Sequence, residues 1–233
     1  MIAISEIFGP TIQGEGAGIG VPTIFVRTGG CDFLCDWCDT LHAVDRKLKH
    51  TWPLTSASDV MAKVQQLSHF QPMLITLSGG NPALQPLESL IDLGHQLGYR
   101  FAMETQGSVA QPWFAKLDVL TLSPKAPSSK MRFDTKRFQA CLDAAHAEHT
   151  QIGLKIVVSD ERDLDWAGEM RAQYPQLAMV LQPCNHQIKG EVSLEQLSER
   201  MRWLTEQVMT RGWYEVRVLP QLHVYLWGNQ QGV

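Results

Sequence analysis

The chain has 233 residues, 44% of them hydrophobic, with a formal charge of -4 and a pI near 6.0. This is ample apolar material for one core and short for two full domains, so the length predicts a single domain over residues 1–233. The acidic balance argues against an extended nucleic-acid surface, and the basic run Arg46-Lys47-Leu48-Lys49-His50 is too short to reverse it.

The amino terminus, MIAISEIFGPTIQGEG, lacks the basic head and long apolar body of a signal peptide. No apolar stretch approaches the roughly 20 residues that span a bilayer, so no membrane contact is expected. Five cysteines, three of them crowded together, do not make a secretory disulfide framework and point to a reducing cytoplasm.

In chain order, Gln13, Gly14 and Glu15 form a polar knot ahead of the first full strand, which the β-branched run Thr23 to Thr28 predicts. A loop follows over residues 29–42. Thr55 or Ser58 then caps a helix running to about Ser68, and Met73 to Leu77 is the next strand. A helix from Pro86 to Leu97 precedes a strand at Phe101 to Glu104, a short helix at Gln111 to Phe114 and a strand at Val119 to Leu122. The pattern continues with a helix over Arg137 to Glu148, a strand at Leu154 to Val158, a helix at Leu164 to Gln173 and a strand at Ala178 to Leu181. A long helix, Leu194 to Arg211, leads to a C-terminal cover of residues 213–233, in which Tyr214 to Val218 reads as a further strand or as irregular chain.

This β-then-α alternation predicts an α/β fold with parallel strands and helical crossovers. About six units fit a partial (β/α)6-type barrel better than the closed eightfold form, which takes about 250 residues. The polar and glycine-rich segments fall after strands and should meet on one C-terminal rim: Cys31 to Cys38, Ser78 to Gly80, Glu104 to Gly107, Ser123 to Lys125 and Gln182 to Asn185.

Cys31, Cys35 and Cys38 in CDFLCDWC carry the strongest signal. Thiolates suit iron-sulfur clusters, zinc and cuprous ions. Gaps of three and two residues fit neither a straight strand nor one helix face, so the loop must wrap around its metal, entered through Gly29-Gly30. Three thiolates leave one iron of a four-iron cluster open for another ligand. A structural zinc site with His42 as fourth ligand is the competing arrangement. Cys141, in a predicted helix, reads as a small buried hydrophobe.

Around that loop, Ser78-Gly79-Gly80 offers bare backbone to a ligand or simply makes a tight turn. Glu104 is a hydrogen-bond acceptor at a strand end or a solvated carboxylate. Lys125 can reach a carboxylate. Lys155, inside the apolar strand GLKIVV, needs a partner, a ligand or a snorkelling path. Glu15 and Arg27 are candidates for reading a heterocycle that bears a carboxylate, since glutamate accepts paired N–H donors and arginine offers a bidentate fork; an ordinary Arg-Glu pair is the alternative. Trp37 can shield a cluster or stack on adenine.

FGPTIQGEG, PTIFVR, CDFLCDWCDT, LSGGNPALQ, ETQG and SPK together resemble the 7-carboxy-7-deazaguanine synthase family of radical S-adenosylmethionine (SAM) enzymes. The resemblance covers residues 8 to 186, with a looser echo in RVLPQLHVYLWG that includes Gln221 and His223. It implies a radical SAM barrel with a [4Fe-4S] cluster on Cys31, Cys35 and Cys38, these being the catalytic ligands, and Mg2+ on Thr40. By the same resemblance, Asp36, Trp37, Cys38, Asp39, Gly80, Ser123, Pro124, Lys125, Gln182, Pro183, Cys184 and Asn185 are cofactor-binding. Ile12, Gln13, Gly14, Arg27 and Ser78 correspond to substrate contacts. Glu15 joins that substrate set, and Glu104 and Lys155 the cofactor set, on the residue arguments above. The implied reaction is a carbon-nitrogen lyase step in queuosine biosynthesis, the ring contraction of 6-carboxy-5,6,7,8-tetrahydropterin to 7-carboxy-7-deazaguanine with loss of ammonia. It requires an external one-electron reductant, and family members are homodimers. Asn81 stands where the wider superfamily carries glutamate in GGEP.

Overall fold

The computed structural model describes residues 1–146, 149–188 and 190–233. The chain starts with a strand that the sequence pattern hides. In β1 (Ile2–Ile12) only Ile2 and Ile4 are buried, and Glu6 and Gly9-Pro10 interrupt the apolar alternation. Gln13, Gly14 and Glu15 therefore follow an 11-residue strand, which corrects the expectation that they precede the first one. β1 runs antiparallel to β2 (Pro22–Thr28), with Glu6 opposite Arg27 and Phe8 opposite Phe25, and antiparallel to the short β3 (Leu54–Thr55).

From β2 onward all strand pairs are parallel. β4 (Leu74–Gly79), β5 (Arg100–Thr105), β6 (Val119–Leu122), β7 (Gln151–Val158), β8 (Ala178–Pro183) and β9 (Arg217–Val218) follow one another, giving the order β3-β1-β2-β4-β5-β6-β7-β8-β9. Ile24, Val26, Ile75, Leu77, Leu120, Leu122 and Ile156 are fully buried, as strands covered on both faces require. Six parallel strands in sequential order, β2 and β4 to β8, realise the expected partial (β/α)6 arrangement. Of the expected Tyr214–Val218 strand only β9 forms, and Tyr214 stays exposed.

Of the helices, α2, α4, α5 and α6 start where a side chain accepts from free N–H groups. α1 (Leu41–Val44) closes the cysteine loop. α2 (Ala57–Leu67) is capped by Ser56, whose Oγ accepts from the Asp59 N–H at 3.1 Å, in place of Thr55 or Ser58. α3 (Glu88–Gln96) follows. The predicted Gln111–Phe114 helix is a 3-10 turn, Pro112–Lys116. α4 (Thr135–Ala144), capped by Asp134, ends before the Glu148 expected of it, and Glu148 itself lies outside the described residues. α5 (Glu161–Gln173), capped by Asp160, starts a turn earlier than its apolar stripe. α6 (Leu194–Thr210) and α7 (Leu222–Trp227) complete the set. Cys141 is fully buried in α4. Among the described residues no helix is long and apolar enough to cross a membrane.

One buried carboxylate ties this frame to the cysteine loop. Asp163, fully buried at the start of α5, accepts from the Ser128 N–H (2.8 Å), the Ser159 N–H (2.8 Å) and the Ser128 hydroxyl (2.6 Å). Ser128 Oγ in turn accepts from Trp37 Nε1 at 2.9 Å. Asp163→Ala strands these donors and is expected to cost about 2–4 kcal/mol in denaturant unfolding. A loss near zero would show that solvent replaces the carboxylate.

Candidate active site

The C-terminal ends of the parallel strands open into a pocket with a cavity of about 220 Å³. Its floor near β2 is the cysteine loop, held by backbone bonds from Gly30 N to Ala43 O (2.7 Å), Asp36 N to Ser129 O (3.1 Å) and Cys38 N to Cys35 O (3.2 Å). Gly79 has a φ of +141°, and a Cβ on Gly80 would run into the Gly30 carbonyl. These two glycines thus let the loop after β4 lie directly against the cysteine loop.

Cys31, Cys35 and Cys38 are free thiols, half-buried, and all line the pocket. Burial pushes each thiol up, to about 11 for Cys35, against the pull of the Lys125 charge. Metal binding must therefore displace protons. His42 does not join them: its ring meets Glu6 (3.2 Å) and Gln231 (3.2 Å). Among the described residues no group of three or more His, Cys, Asp or Glu side chains forms a ready single-ion site. A cubane instead spreads its thiolates over three irons, so the donor chemistry of this loop fits an iron-sulfur cluster.

The loop also rests on a polar hub that sequence patterning misses. Asp32 accepts from Asn81 Nδ2 (2.8 Å) and Gln106 Nε2 (2.6 Å), while Asn81 Oδ1 accepts from Thr105 Oγ1 (2.8 Å) and the Ala83 N–H (3.2 Å). Asn81 is fully buried. A glutamate could not donate to Asp32, which gives the GGNP form a physical reason.

The same pocket holds a buried ion cluster. The Lys155 side chain is 3% exposed, and its Nζ meets Glu15 and also Glu104, the latter at 2.6 Å. Gln221 Nε2 donates to Glu15 Oε1 at 2.7 Å and His223 packs against Gly14, so the C-terminal cover contributes to this wall. Burial alone would raise the Glu15 carboxyl, but the charges of Lys155 and His223 hold it far below the carboxylate range. Burial likewise disfavours charged Lys155, and Glu104 with Glu15 outweighs it, leaving the ammonium above its ordinary value. Glu15 and Lys155 are therefore both ionised at neutral pH. Glu15 pairs with Lys155, and Arg27 pairs with Glu6 at 2.6 Å, so the sequence-level Glu15–Arg27 pair does not form.

Among the described residues Ser78 Oγ and Gln182 Oε1 are buried without a hydrogen-bond partner, and both residues line this pocket. Buried orphans of this kind mark places where a ligand completes the bonding. Ile12, Gln13, Gly14, Trp37, Asp39, Thr40, Gly80, Lys125, Cys184 and Asn185 also line it. Four residues of the expected set lie off the lining. Asp36 is exposed and paired with Lys130 at 2.9 Å, Ser123 accepts from Lys125 Nζ at 3.2 Å behind the wall, and Pro124 and Pro183 are buried. Lining residues that patterning does not suggest include Phe8, Phe25 and Val233.

No protein-family model matches the chain. It is 39% identical to the 7-carboxy-7-deazaguanine synthase of Bacillus subtilis over 100% of this chain and 98% of that protein. Identity to the synthase of Bacillus cereus is 37%, over 100% and 99%. The chain belongs to the 7-carboxy-7-deazaguanine synthase family. The crystal structure of QueE from Escherichia coli superposes with a TM-score of 0.68 at 25% identity, covering 95% of this chain and 94% of that one. The partial barrel is accordingly the radical SAM architecture of the 7-carboxy-7-deazaguanine synthases, and membership implies use of SAM and a [4Fe-4S] cluster.

Proposed function

We propose that the chain catalyses the ring contraction of 6-carboxy-5,6,7,8-tetrahydropterin to 7-carboxy-7-deazaguanine with loss of ammonia, as a step of queuosine biosynthesis. The observation that carries this reading is one pocket shared by three free cysteines, the Glu15–Lys155–Glu104 cluster and Arg27. An activase acting on another polypeptide would have no use for this buried polar wall.

Cys31, Cys35 and Cys38 hold the cluster, and Asp39, Trp37, Lys125, Gly80, Gln182 and Asn185 cradle SAM, with Asp36, Ser123, Pro124, Pro183 and Cys184 supporting that cradle. When bound, the cluster and SAM supply the hydrogen-atom abstraction that starts the rearrangement. The chain's own residues bind, align and exclude water. Arg27 offers its fork to the substrate carboxylate. Glu15, held as a carboxylate by Lys155, accepts N–H donors of the pyrimidine ring, Glu104 accepts from SAM on the cofactor side, and Ser78 and Gln182 find in ligands the partners they lack. Ile12, Gln13 and Gly14 close the substrate side, where Leu222 N donates to Gly14 O at 2.8 Å. Residues 213–233 serve as a cover of one catalytic unit.

Thr40 is assigned to Mg2+. Among the described residues its hydroxyl meets only the Cys38 sulfur, at 3.8 Å, so a hard oxygen donor is free to turn to a hard ion. Thr40→Ala is expected to abolish most of the activation by added Mg2+ while iron content stays unchanged. An unaltered metal response would remove Thr40 from the coordination sphere. An external one-electron reductant, a homodimeric state and a cytoplasmic setting complete the proposal.

The direct test is anaerobic turnover of the reconstituted protein with SAM, dithionite and the carboxypterin, followed by mass analysis. 7-Carboxy-7-deazaguanine is the expected product. SAM consumption with intact pterin would reject the substrate.

A further inference from the structure

Behind Arg27 stands a second layer of polar groups that the assignments above leave unused. Glu6, directly opposite Arg27 across β1 and β2, accepts from Arg27 Nε at 2.6 Å. The guanidinium also lies over the Phe8 ring, 5.8 Å from its centroid, and Phe8 stacks on Phe25 at 5.0 Å. One edge and one face of the guanidinium are thereby fixed. Among the described residues its two Nη atoms make no hydrogen bond, which leaves that end of the fork free, and Arg27 itself lines the pocket.

Glu6 is held from the other side by His42, whose Nε2 stands 3.2 Å from the same carboxylate oxygen. A carboxylate only accepts, so Nε2 donates; in the neutral ring Nδ1 is then an acceptor. Nδ1 lies 3.2 Å from Gln231 Nε2, in the C-terminal tail. The tail is further tied by Asn229 Nδ2 donating to Gln187 O at 2.6 Å, and Val233 lines the pocket. Burial works against an ionised Glu6, yet the His42 bond and the Arg27 charge outweigh it and keep the carboxyl below its ordinary range. Arg27, Glu6 and His42 side chains are 17%, 23% and 25% exposed, so the relay is shielded without being sealed.

We propose that Glu6 is the positioning residue that aims Arg27 at the substrate carboxylate, and that His42 links this grip to the C-terminal tail by bonding both. The proposal rests on the reading of Arg27 as the carboxylate fork. Glu6 and His42 are absent from the pocket wall and act through their neighbours. The first half of the relay selects for a charged substituent on the pterin. The second half pins the tail at the pocket, so loss of His42 should free it.

The test is equilibrium binding to the anaerobically reconstituted protein without reductant, so that no turnover occurs. The affinities of the carboxypterin and of tetrahydropterin lacking the carboxylate are compared. Glu6→Ala is expected to lower the ratio of the two affinities about tenfold, the scale of a lost charge-assisted hydrogen bond, and Glu6→Gln about threefold. Binding of tetrahydropterin should stay unchanged in both. Arg27→Ala separates two failures: if it removes the discrimination and neither Glu6 variant does, the positioning role is overturned. If Arg27→Ala also leaves discrimination intact, the carboxylate reading of the site falls with it. His42→Ala should additionally speed amide hydrogen exchange over residues 229–233, and an unchanged rate would overturn the link to the tail.

Discussion

Cys35→Ala is expected to abolish SAM cleavage and turnover altogether, with iron content after reconstitution falling well below that of the unsubstituted protein. The middle thiol is bracketed by Cys31 and Cys38 on a loop whose backbone is fixed by Gly30, Asp36 and Cys38, so neither neighbour can shift to replace it. Cys141→Ala is the control. That thiol is fully buried in α4, away from the pocket, and its loss should cost only the stability of one small buried side chain, about 1 kcal/mol. Normal turnover by Cys35→Ala would refute the ligand assignment.

Lys155→Met is the second large effect. It leaves Glu15 and Glu104 facing each other without the ammonium that holds both, and breaking a buried pair by removing one partner costs about 3–5 kcal/mol. Carboxypterin binding should weaken as well, because two adjacent carboxylates without a cation favour protonation of one. The pH dependence separates this from a packing defect. In the unsubstituted protein Glu15 sits below its ordinary value of 4.5, so its contribution is complete above that pH and is lost as pH falls. Lys155 sits above its ordinary 10.5, so its contribution is complete below that pH and is lost only as pH rises further. In Lys155→Met the carboxylates have lost their cation, and the penalty relative to the unsubstituted protein should shrink as pH falls toward 4.5. A penalty constant from pH 8 to 5 would point to lost packing alone.

The parts of the site that travel as contiguous strings were legible in the sequence. CDFLCDWC, LSGGN and the segments after the β5, β6 and β8 runs each follow an apolar strand, and parallel topology carries all such segments to one rim. What stayed hidden is set by pairing across long separations. Lys155 reads as a charge in need of company, but nothing local names Glu15, which is 140 residues away. Gln221 reaches Glu15 across 206 residues. Glu6 was invisible because β1 itself was, its alternation broken by Gly9-Pro10 and its edge half-solvated. Asn81 could be recognised as a departure from GGEP, whereas its reason, the acceptor on Asp32, needed the fold.

The most direct measurement is the iron content and EPR spectrum of the reduced, anaerobically reconstituted protein, with and without SAM. About four irons per chain and a spectrum that changes when SAM is added are the expected result for three thiolates leaving one iron open. A four-iron signal indifferent to saturating SAM, or zinc in place of iron, would contradict the account at its root.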